Sequence, residues 1–182
     1  PGVTSTVGGM GKGAGMTRPN RAPMIAVITT DVPIAAPDLS QALTAAVNKS
    51  FNKVTVDSDT STNDTCFALA SGAAAPDGPA FAPGTPAFDA FQRALDQLAT
   101  TLARTMAADG EGATRLITVT VRGAATADDA DAAAPTVANS PLVTTAVYGH
   151  EANRGRAAAG PGRAGARFKL EAVDVDVLGL HG

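Results

Sequence analysis

The sequence predicts a mixed fold of the α+β class, in which strands alternate with helices. A β-branched, uncharged run at residues 24–30 is typical of a strand that is buried on both faces. Residues 88–106 carry apolar side chains every three or four positions, which predicts the longest helix. Residues 114–121 alternate between apolar and polar side chains, which predicts a half-buried strand.

Composition narrows the class of protein. With 182 residues the chain can bury one core, and 45% hydrophobic and 17% charged residues are typical of a soluble globular protein. The net charge of −3 gives no electrostatic reason to expect nucleic acid or an anionic membrane as a partner. No apolar run reaches the roughly 18 residues of a membrane helix. One cysteine, Cys66, excludes an internal disulfide. We therefore expect a cytoplasmic protein.

The first elements are predicted from glycine, proline and helical spacing. Residues 8–15 are glycine-rich and are expected to form a flexible loop before the strand at residues 24–30. A helix should begin at Pro37-Asp38, with Asp38 as its N-cap. Its buried face is marked at helical spacing by Leu39, Leu43 and Val47.

The middle of the chain combines loops with the longest helix. Residues 54–56 predict a short strand, and the nine small polar residues at 57–65 predict a hydrogen-bonding loop. Residues 72–86, rich in Pro, Gly and Ala, are expected to be a surface insertion. The long helix should end at Asp109-Gly110.

The last third of the sequence has weaker patterns for secondary structure. Ala and Asp predict a helix over residues 128–134, weakened by Pro135. Residues 142–148 are strand-like, residues 155–165 are of low complexity, and residues 173–178 alternate as a half-buried strand. Because that last strand has little sequence left to pair with, we expect a partial chain.

The segment from Lys12 to Asp31 is the most informative. It reads Lys-Gly-Ala-Gly-Met-Thr-Arg-Pro-Asn-Arg-Ala-Pro-Met, followed by the uncharged strand. This closely resembles the self-cleavage segment of the ornithine acetyltransferases, the bifunctional glutamate N-acetyltransferases of arginine biosynthesis. Three further stretches, at residues 56–65, 109–113 and 139–143, resemble the same family in the same order.

The resemblance implies a catalytic position at residue 23. Family members cleave their backbone before a threonine, which corresponds to the bond between Ala22 and Pro23. The threonine then carries the acetyl group between N2-acetyl-L-ornithine and L-glutamate. Pro23 has no hydroxyl, so we expect this bond to stay uncleaved. The alternative to an acetyltransferase is a non-catalytic fragment or pseudoenzyme that at most binds amino acids.

Two charged residues match substrate-binding positions of the family. Lys12 on its glycine-framed loop is suited to pair with a substrate carboxylate, although it also fits a solvated lysine. Glu111, between Gly110 and Gly112, is suited to a substrate ammonium, although these glycines also fit a simple turn. The polar loop at residues 57–65 has carboxylates for calcium, but its spacing misses the EF-hand, which favours a structural role.

Other kinds of site find little support in the sequence. Lys12 is followed by Gly13, not Ser or Thr, so the glycine-rich loop is not a nucleotide-binding P-loop. Two histidines and one cysteine without paired spacing exclude a structural zinc site, and His150 is expected at the surface. We expect neither a metal nor another cofactor.

The resemblance also implies an architecture. The family folds as a four-layer αββα sandwich, which would be incomplete here, within a heterotetramer of two α and two β chains. On this view residues 1–182 are a single partial domain. Residues 1–22 match the end of the α-part, and residues 23–182 match most of the β-part without its C-terminal segment.

Overall fold

A computed structural model of the chain describes residues 4–13, 24–56, 63–78, 80–110, 112–167, 169 and 172–179. Its contacts form two compact units. The first comprises residues 1–54 and 59–111, and the second comprises residues 55–58 and 112–182. Each unit is described by itself.

A three-stranded mixed sheet forms the centre of the first unit. Its strands are β1 (Val7–Lys12), β2 (Ile25–Thr30) and β3 (Thr65–Ala70), in the order β1-β2-β3. β1 is antiparallel to β2, and β3 is parallel to β2. The strand predicted at residues 24–30 is confirmed as β2, the central strand. The prediction that it is buried on both faces is wrong, because Ala26, Ile28 and Thr30 are buried whereas Ile25 and Thr29 on the other face are exposed.

The expectation of a flexible loop at residues 8–15 is wrong for residues 8–12, which belong to strand β1, and residues 14 and 15 lie outside the described residues. The glycines allow close packing there. A Cβ on Gly9 would lie 3.4 Å from Leu102 Cδ1, and one on Gly11 would lie 3.0 Å from Met106 Sδ. Glycine therefore marks the places where a helix crosses the strand at short distance.

Two helices cover one face of the sheet. They are α1 (Ala36–Lys49) and α2 (Pro86–Ala108), and they pack on each other as well as on the strands. The predicted apolar stripe of α2 is confirmed as core, and Asp109 ends the helix as predicted. The buried residues of this core are Ala26, Ile28, Val32, Leu39, Ala42, Ala46, Phe51, Phe81, Phe88, Phe91, Leu95, Ala99 and Ala103.

The start of α1 differs from the prediction. Its N-cap is Ala35, which makes no side-chain hydrogen bond, and Asp38 lies inside the first turn. Proline is compatible with the first helical positions, so Pro37 does not delay the helix. Asp38 still carries its negative charge where the helix dipole favours it.

The described residues on either side of β3 in the chain form no further strand. The short strand predicted at residues 54–56 is wrong, because the chain there leaves a 3₁₀ turn at Phe51–Lys53 without joining the sheet. Among the described residues of 72–86, Phe81 is buried and its N–H donates to the Pro33 carbonyl at 2.7 Å. The segment is thus anchored to the core at one aromatic side chain.

The described residues of the second unit form three helices. They are α3 (Ala127–Ala138), α4 (Pro141–Tyr148) and α5 (Arg154–Arg163). α3 continues through Pro135, further than predicted. α3 and α5 pack most closely, because a Cβ on Gly160 would lie only 2.4 Å from Val137 Cγ2.

The strand predicted at residues 142–148 is wrong, since this segment is α4. Pro141 occupies the first helical position, where its missing N–H costs nothing. The Thr145 hydroxyl donates back to the Pro141 carbonyl at 2.7 Å, and Val143 and Ala146 are buried at helical spacing. Burial of that face outweighs the strand preference of the β-branched residues.

The strands predicted at residues 114–121 and 173–178 form no ladder with any described residue. Their alternation in exposure is nevertheless present. Ile117, Val119 and Val121 are half-buried, whereas Leu116, Thr118 and Thr120 are exposed. The alternation in the sequence thus predicts correctly which residues are exposed and which are half-buried. A strand, however, also requires a neighbouring strand to hydrogen-bond with.

Candidate active site

One end of the sheet brings together residues that are distant in sequence. The last residue of β1, Lys12, lies opposite Ile25 at the beginning of β2. Ile25 in turn lies opposite Thr65, the first residue of β3. Neighbouring strands are about 4.8 Å apart, and paired residues point to the same face. Lys12 and Thr65 therefore lie on the same face of the sheet, at the end where β2 begins.

Met24, the residue just before β2, is hydrogen-bonded to two residues at the start of β3. The Met24 N–H donates to the carboxylate oxygen Oδ1 of Asp64 at 2.8 Å. The Thr65 N–H donates to the Met24 carbonyl at 2.9 Å. Both polar backbone groups of Met24 are thus bound by two consecutive residues, which fixes the amino end of β2.

This contact bears on the predicted role of the polar loop. A structural role, in which loop side chains bind backbone donors near residue 23, is confirmed at Asp64. The Thr65 hydroxyl also donates to the Asn63 carbonyl at 3.1 Å. Residues 57–62 lie outside the described residues, and within the described part no group of acidic residues, His or Cys could hold a metal ion.

Lys12 presents an accessible cation at this edge. Its side chain is exposed, and no carboxylate among the described residues forms an ion pair with it. An unpaired ammonium on a strand end can donate to a carboxylate from solution. The arrangement therefore permits binding of a small anion beside the start of β2.

The remaining predicted site residues cannot be placed. Ala22, Pro23 and Glu111 lie outside the described residues. Gly112, which follows Glu111, has a φ of +74°, a backbone conformation that favours glycine. The turn interpretation of this motif is therefore correct for Gly112, and it is compatible with a ligand role for Glu111.

Cys66 lies next to this edge but is a poor substitute for a nucleophile. It pairs with the buried Ala26, and its own side chain is half-buried. Burial raises the pKa of the Cys66 thiol, so the reactive thiolate is disfavoured. Its role is packing beneath the sheet.

His150, predicted at the surface, is exposed as expected. Its φ is +58°, and its Nε2 lies 2.6 Å from Nη2 of Arg115. No sequence pattern predicts this contact, because Arg115 and His150 are 35 residues apart and meet only in the fold of the second unit. In the described part of the chain, no helix is long and apolar enough to cross a membrane.

Fold and site together define an α+β protein whose central strand begins at Ile25, with the preceding Met24 hydrogen-bonded to Asp64 and Thr65. A family model described as the ArgJ family matches residues 2–181. The chain belongs to the ArgJ family. The resemblance to ornithine acetyltransferases, which are enzymes of arginine biosynthesis, is thereby confirmed.

Individual relatives are similar over most of the chain. The arginine biosynthesis bifunctional protein ArgJ of Symbiobacterium thermophilum is 48% identical over 174 residues, which are 96% of this chain and 43% of that protein. The mitochondrial ArgJ of Chaetomium globosum is 50% identical over 156 residues, 86% of this chain and 33% of that protein. The chain thus spans less than half the length of these relatives.

A solved structure supports the predicted fold class. The crystal structure of ArgJ from Bacillus halodurans superposes with a TM-score of 0.73 at 40% identity, covering 80% of this chain and 66% of that one. The prediction of an α+β fold of the ornithine acetyltransferase type is confirmed.

Proposed function

We propose that this chain provides the sheet edge at which an ornithine acetyltransferase binds its amino-acid substrates, and that Pro23 blocks the chemical step there. The family reaction would move an acetyl group from N2-acetyl-L-ornithine to L-glutamate. The observation that supports this proposal is the row Lys12–Ile25–Thr65, two residues from position 23.

The chemistry at residue 23 would require a hydroxyl. A threonine oxygen would attack the acetyl carbonyl of N-acetylornithine, ornithine would leave with a proton, and an acetyl ester would remain. The amine of glutamate would then attack that ester. Proline has neither the hydroxyl nor, in the chain, an N–H, so neither self-cleavage nor acetyl transfer can proceed through Pro23.

Binding of a substrate requires only the charged groups of the site and no hydroxyl at residue 23. The Lys12 ammonium would hold the α-carboxylate shared by both substrates, and the Glu111 carboxylate would hold a substrate ammonium. Because Lys12 is exposed, solvent screens its charge, and we expect its removal to weaken binding by about tenfold at most. The chain would then act as a binding module without turnover, which is the pseudoenzyme alternative.

Electrophoresis and mass spectrometry test the catalytic half of this proposal. The purified chain should run as one species of 18.0 kDa, and incubation with N-acetylornithine should leave its mass unchanged. Two bands that separate at Ala22–Pro23, or a stable gain of one acetyl group, would show that Pro23 does not block the reaction.

Titration calorimetry with N-acetylornithine tests the binding half. Lys12→Met should weaken binding, whereas Lys49→Met should not. Lys49 is a suitable control because it pairs with Asp96 on the helical side of the same unit, at 2.7 Å. Equal affinities of the two variants would disprove the assignment of Lys12.

Two further expectations belong to this proposal. The family assembly of two α and two β chains would supply the missing parts of the site. A cytoplasmic location agrees with the single cysteine, whereas the fungal relative from Chaetomium globosum is named as mitochondrial.

A further inference from the structure

A pocket of about 470 Å³ lies at the end of the sheet opposite to Lys12. It is lined by the last two residues of β2 and of β3, by the residue that follows each of these strands, Asp31 and Ser71, and by Thr6 beside β1. Because β2 and β3 are parallel, their carboxyl ends meet here. Ligands of parallel sheets bind outside the carboxyl ends of the strands, and small-molecule pockets commonly measure about 300–1,000 Å³. Position and size therefore both suit a small ligand.

Hydrogen bonds hold the walls of this pocket in place. The Asp31 oxygen Oδ1 accepts the Thr6 N–H at 2.7 Å, and the Thr30 hydroxyl donates to the Thr6 carbonyl at 2.7 Å. On the other side, the Ser71 N–H donates to the Thr30 carbonyl at 3.0 Å, and the Ala74 N–H donates to the Asp31 carbonyl at 2.9 Å. A ligand would meet groups that are already ordered, which lowers the entropic cost of binding.

Asp31 gives the pocket a negative charge. Among the described residues that line it, Asp31 alone has a charged side chain. Its Oδ1 is bound to Thr6, but no described residue forms a hydrogen bond or an ion pair with its second carboxylate oxygen, Oδ2. Asp31 is half-buried, so solvent screens its charge less than that of an exposed carboxylate. The pocket therefore favours a cation.

Hydroxyl groups and one apolar side chain surround this carboxylate. Thr29 lies two residues before Asp31, and its strand partner Leu69 lies two residues before Ser71, so all four belong to one face of the sheet. The Thr29 hydroxyl has no hydrogen-bond partner within the described ranges, and the Ser71 hydroxyl accepts the Ala73 N–H only at 3.4 Å. Both oxygens can accept further hydrogen bonds. Leu69 is 60% exposed and offers an apolar surface beside them.

We propose that this pocket binds a primary alkylammonium ion. An ammonium group has three N–H donors, which match the Asp31 oxygen Oδ2 and the hydroxyls of Thr29 and Ser71. The alkyl chain would lie on Leu69, where burial of its apolar surface adds to binding. Charge, donor count and apolar surface thus agree on one class of ligand.

This site is separate from the one at Lys12. Residues 25 and 31 are roughly 20 Å apart along the extended chain, at about 3.3 Å per residue. One amino-acid substrate does not span that distance. The inference therefore does not rest on the proposed function.

Titration of the whole chain with n-butylammonium chloride, followed by two-dimensional ¹H–¹⁵N NMR, tests the proposal. We expect the amide signals of Thr6, Asp31 and Ser71 to shift and saturate, and that of Ile25 to stay in place. n-Butanol has the alkyl chain without the charge, and tetramethylammonium has the charge without an N–H. Both should bind at least about tenfold more weakly, because neither makes charged hydrogen bonds. Sodium chloride at equal concentration corrects for ionic strength.

Asp31→Asn tests the carboxylate. It removes the charge but keeps an oxygen that can accept the Thr6 N–H, and it should weaken binding of butylammonium about tenfold. Asp77→Asn is the matched control, because Asp77 is exposed in the same unit and does not line the pocket. This control should bind as the parent chain does.

Two further variants keep the test decisive if Asp31→Asn does not fold. Thr29 and Leu69 are exposed, so substitution of either leaves the core intact. Thr29→Val should weaken binding about threefold through the loss of one hydrogen bond. Leu69→Ser should weaken binding of butylammonium about threefold and leave that of methylammonium unchanged, since only the longer chain reaches it. Thermal unfolding followed by circular dichroism shows which variants are folded.

Loss of affinity in Asp31→Asn or in Thr29→Val, with Asp77→Asn unaffected, supports the proposal. Equal affinities of the parent chain and of every folded pocket variant would overturn it. It is also wrong if butanol binds as tightly as butylammonium, or if the signals that shift all belong to residues outside the pocket.

Discussion

Gly9 of β1 approaches Val27 of β2 so closely that a Cβ on Gly9 would lie 3.0 Å from the Val27 carbonyl oxygen. The same Cβ would meet Ile28 Cγ1 at 3.3 Å and Leu102 Cδ1 at 3.4 Å. Gly9 therefore lies where β1, β2 and α2 meet, and the absence of a side chain sets their spacing.

Gly9→Ala should destabilise the chain by about 1–3 kcal/mol, because the added methyl group meets a backbone oxygen that cannot move aside easily. Gly8→Ala is the matched control, since no atom lies within 4 Å of a Cβ on Gly8. Urea unfolding measures both. Equal free energies of unfolding for the two variants would contradict the close packing of β1.

Gly160→Ala tests the packing of α3 on α5. Alanine favours a helix by up to about 1 kcal/mol over glycine, but here its Cβ would lie 2.4 Å from Val137 Cγ2. We expect a net loss of about 1–3 kcal/mol. Val137→Ala in the same chain should recover part of that loss, because it removes the opposing methyl groups.

Gly155→Ala in the same helix provides the control. The nearest atom to its Cβ would be Asn153 Oδ1 at 3.8 Å, so there is room for a methyl group. This variant should be as stable as the parent or slightly more stable. A similar loss in both variants would indicate that α5 itself, and not its contact with α3, is disturbed.

Asp129 links stability to pH in the second unit. The Arg167 N–H at 3.1 Å is the main cause that lowers the pKa of the Asp129 carboxyl, and the Thr126 hydroxyl at 2.8 Å adds to it. The pKa of Asp129 is lower in the folded state than the value of about 3.9 in the unfolded state. The ionised carboxylate therefore stabilises the folded chain at pH values above about 3.9. This stabilisation is lost as the pH falls through the folded-state pKa.

Asp129→Asn should therefore weaken the loss of stability on acidification. Free energies of unfolding at about pH 7 and about pH 3 measure this difference. Asp128→Asn removes the same charge from the same helical turn and is the control. An identical pH dependence in both variants would show that the contacts of Asp129 do not stabilise the ionised form.

Replacement by alanine should destabilise the chain at one helix N-cap and not at another. Thr85 accepts the Phe88 N–H at 3.2 Å, so Thr85→Ala should cost about 0.5–2 kcal/mol. Ser140 precedes α4 but makes no cap bond, and its buried hydroxyl has no partner among the described residues. Ser140→Ala removes an unsatisfied polar group and should not destabilise the chain. Thermal unfolding distinguishes the two, and a larger loss at Ser140 would contradict the structure.

The sequence is sufficient to predict an element where its local pattern agrees with the burial of its side chains. The stripe along α2 and the existence of strand β2 are predicted correctly, because their apolar side chains enter the core. The burial of β2 on only one face is not predicted. The family was evident from four motifs. Lys12 could be proposed as a binding residue, but its position beside Ile25 depends on a ladder that local sequence does not encode.

The errors arose where tertiary contacts outweigh local preference. The glycines of β1 predict a loop, but α2 packs against them, with Met106 next to Gly11. The β-branched run after Pro141 indicated a strand, yet it is a helix whose buried face meets its neighbours.

By itself, the sequence determined the class of fold and the family, and it places Pro23 where we propose the nucleophile position of the family. These depend on residue identity and on spacing within one segment, which a linear chain displays in full. Only the tertiary structure decided that Asp64 binds the Met24 N–H, 40 residues away in the chain. That contact exists because β3 runs parallel to β2, and parallel pairing joins segments that share no local pattern.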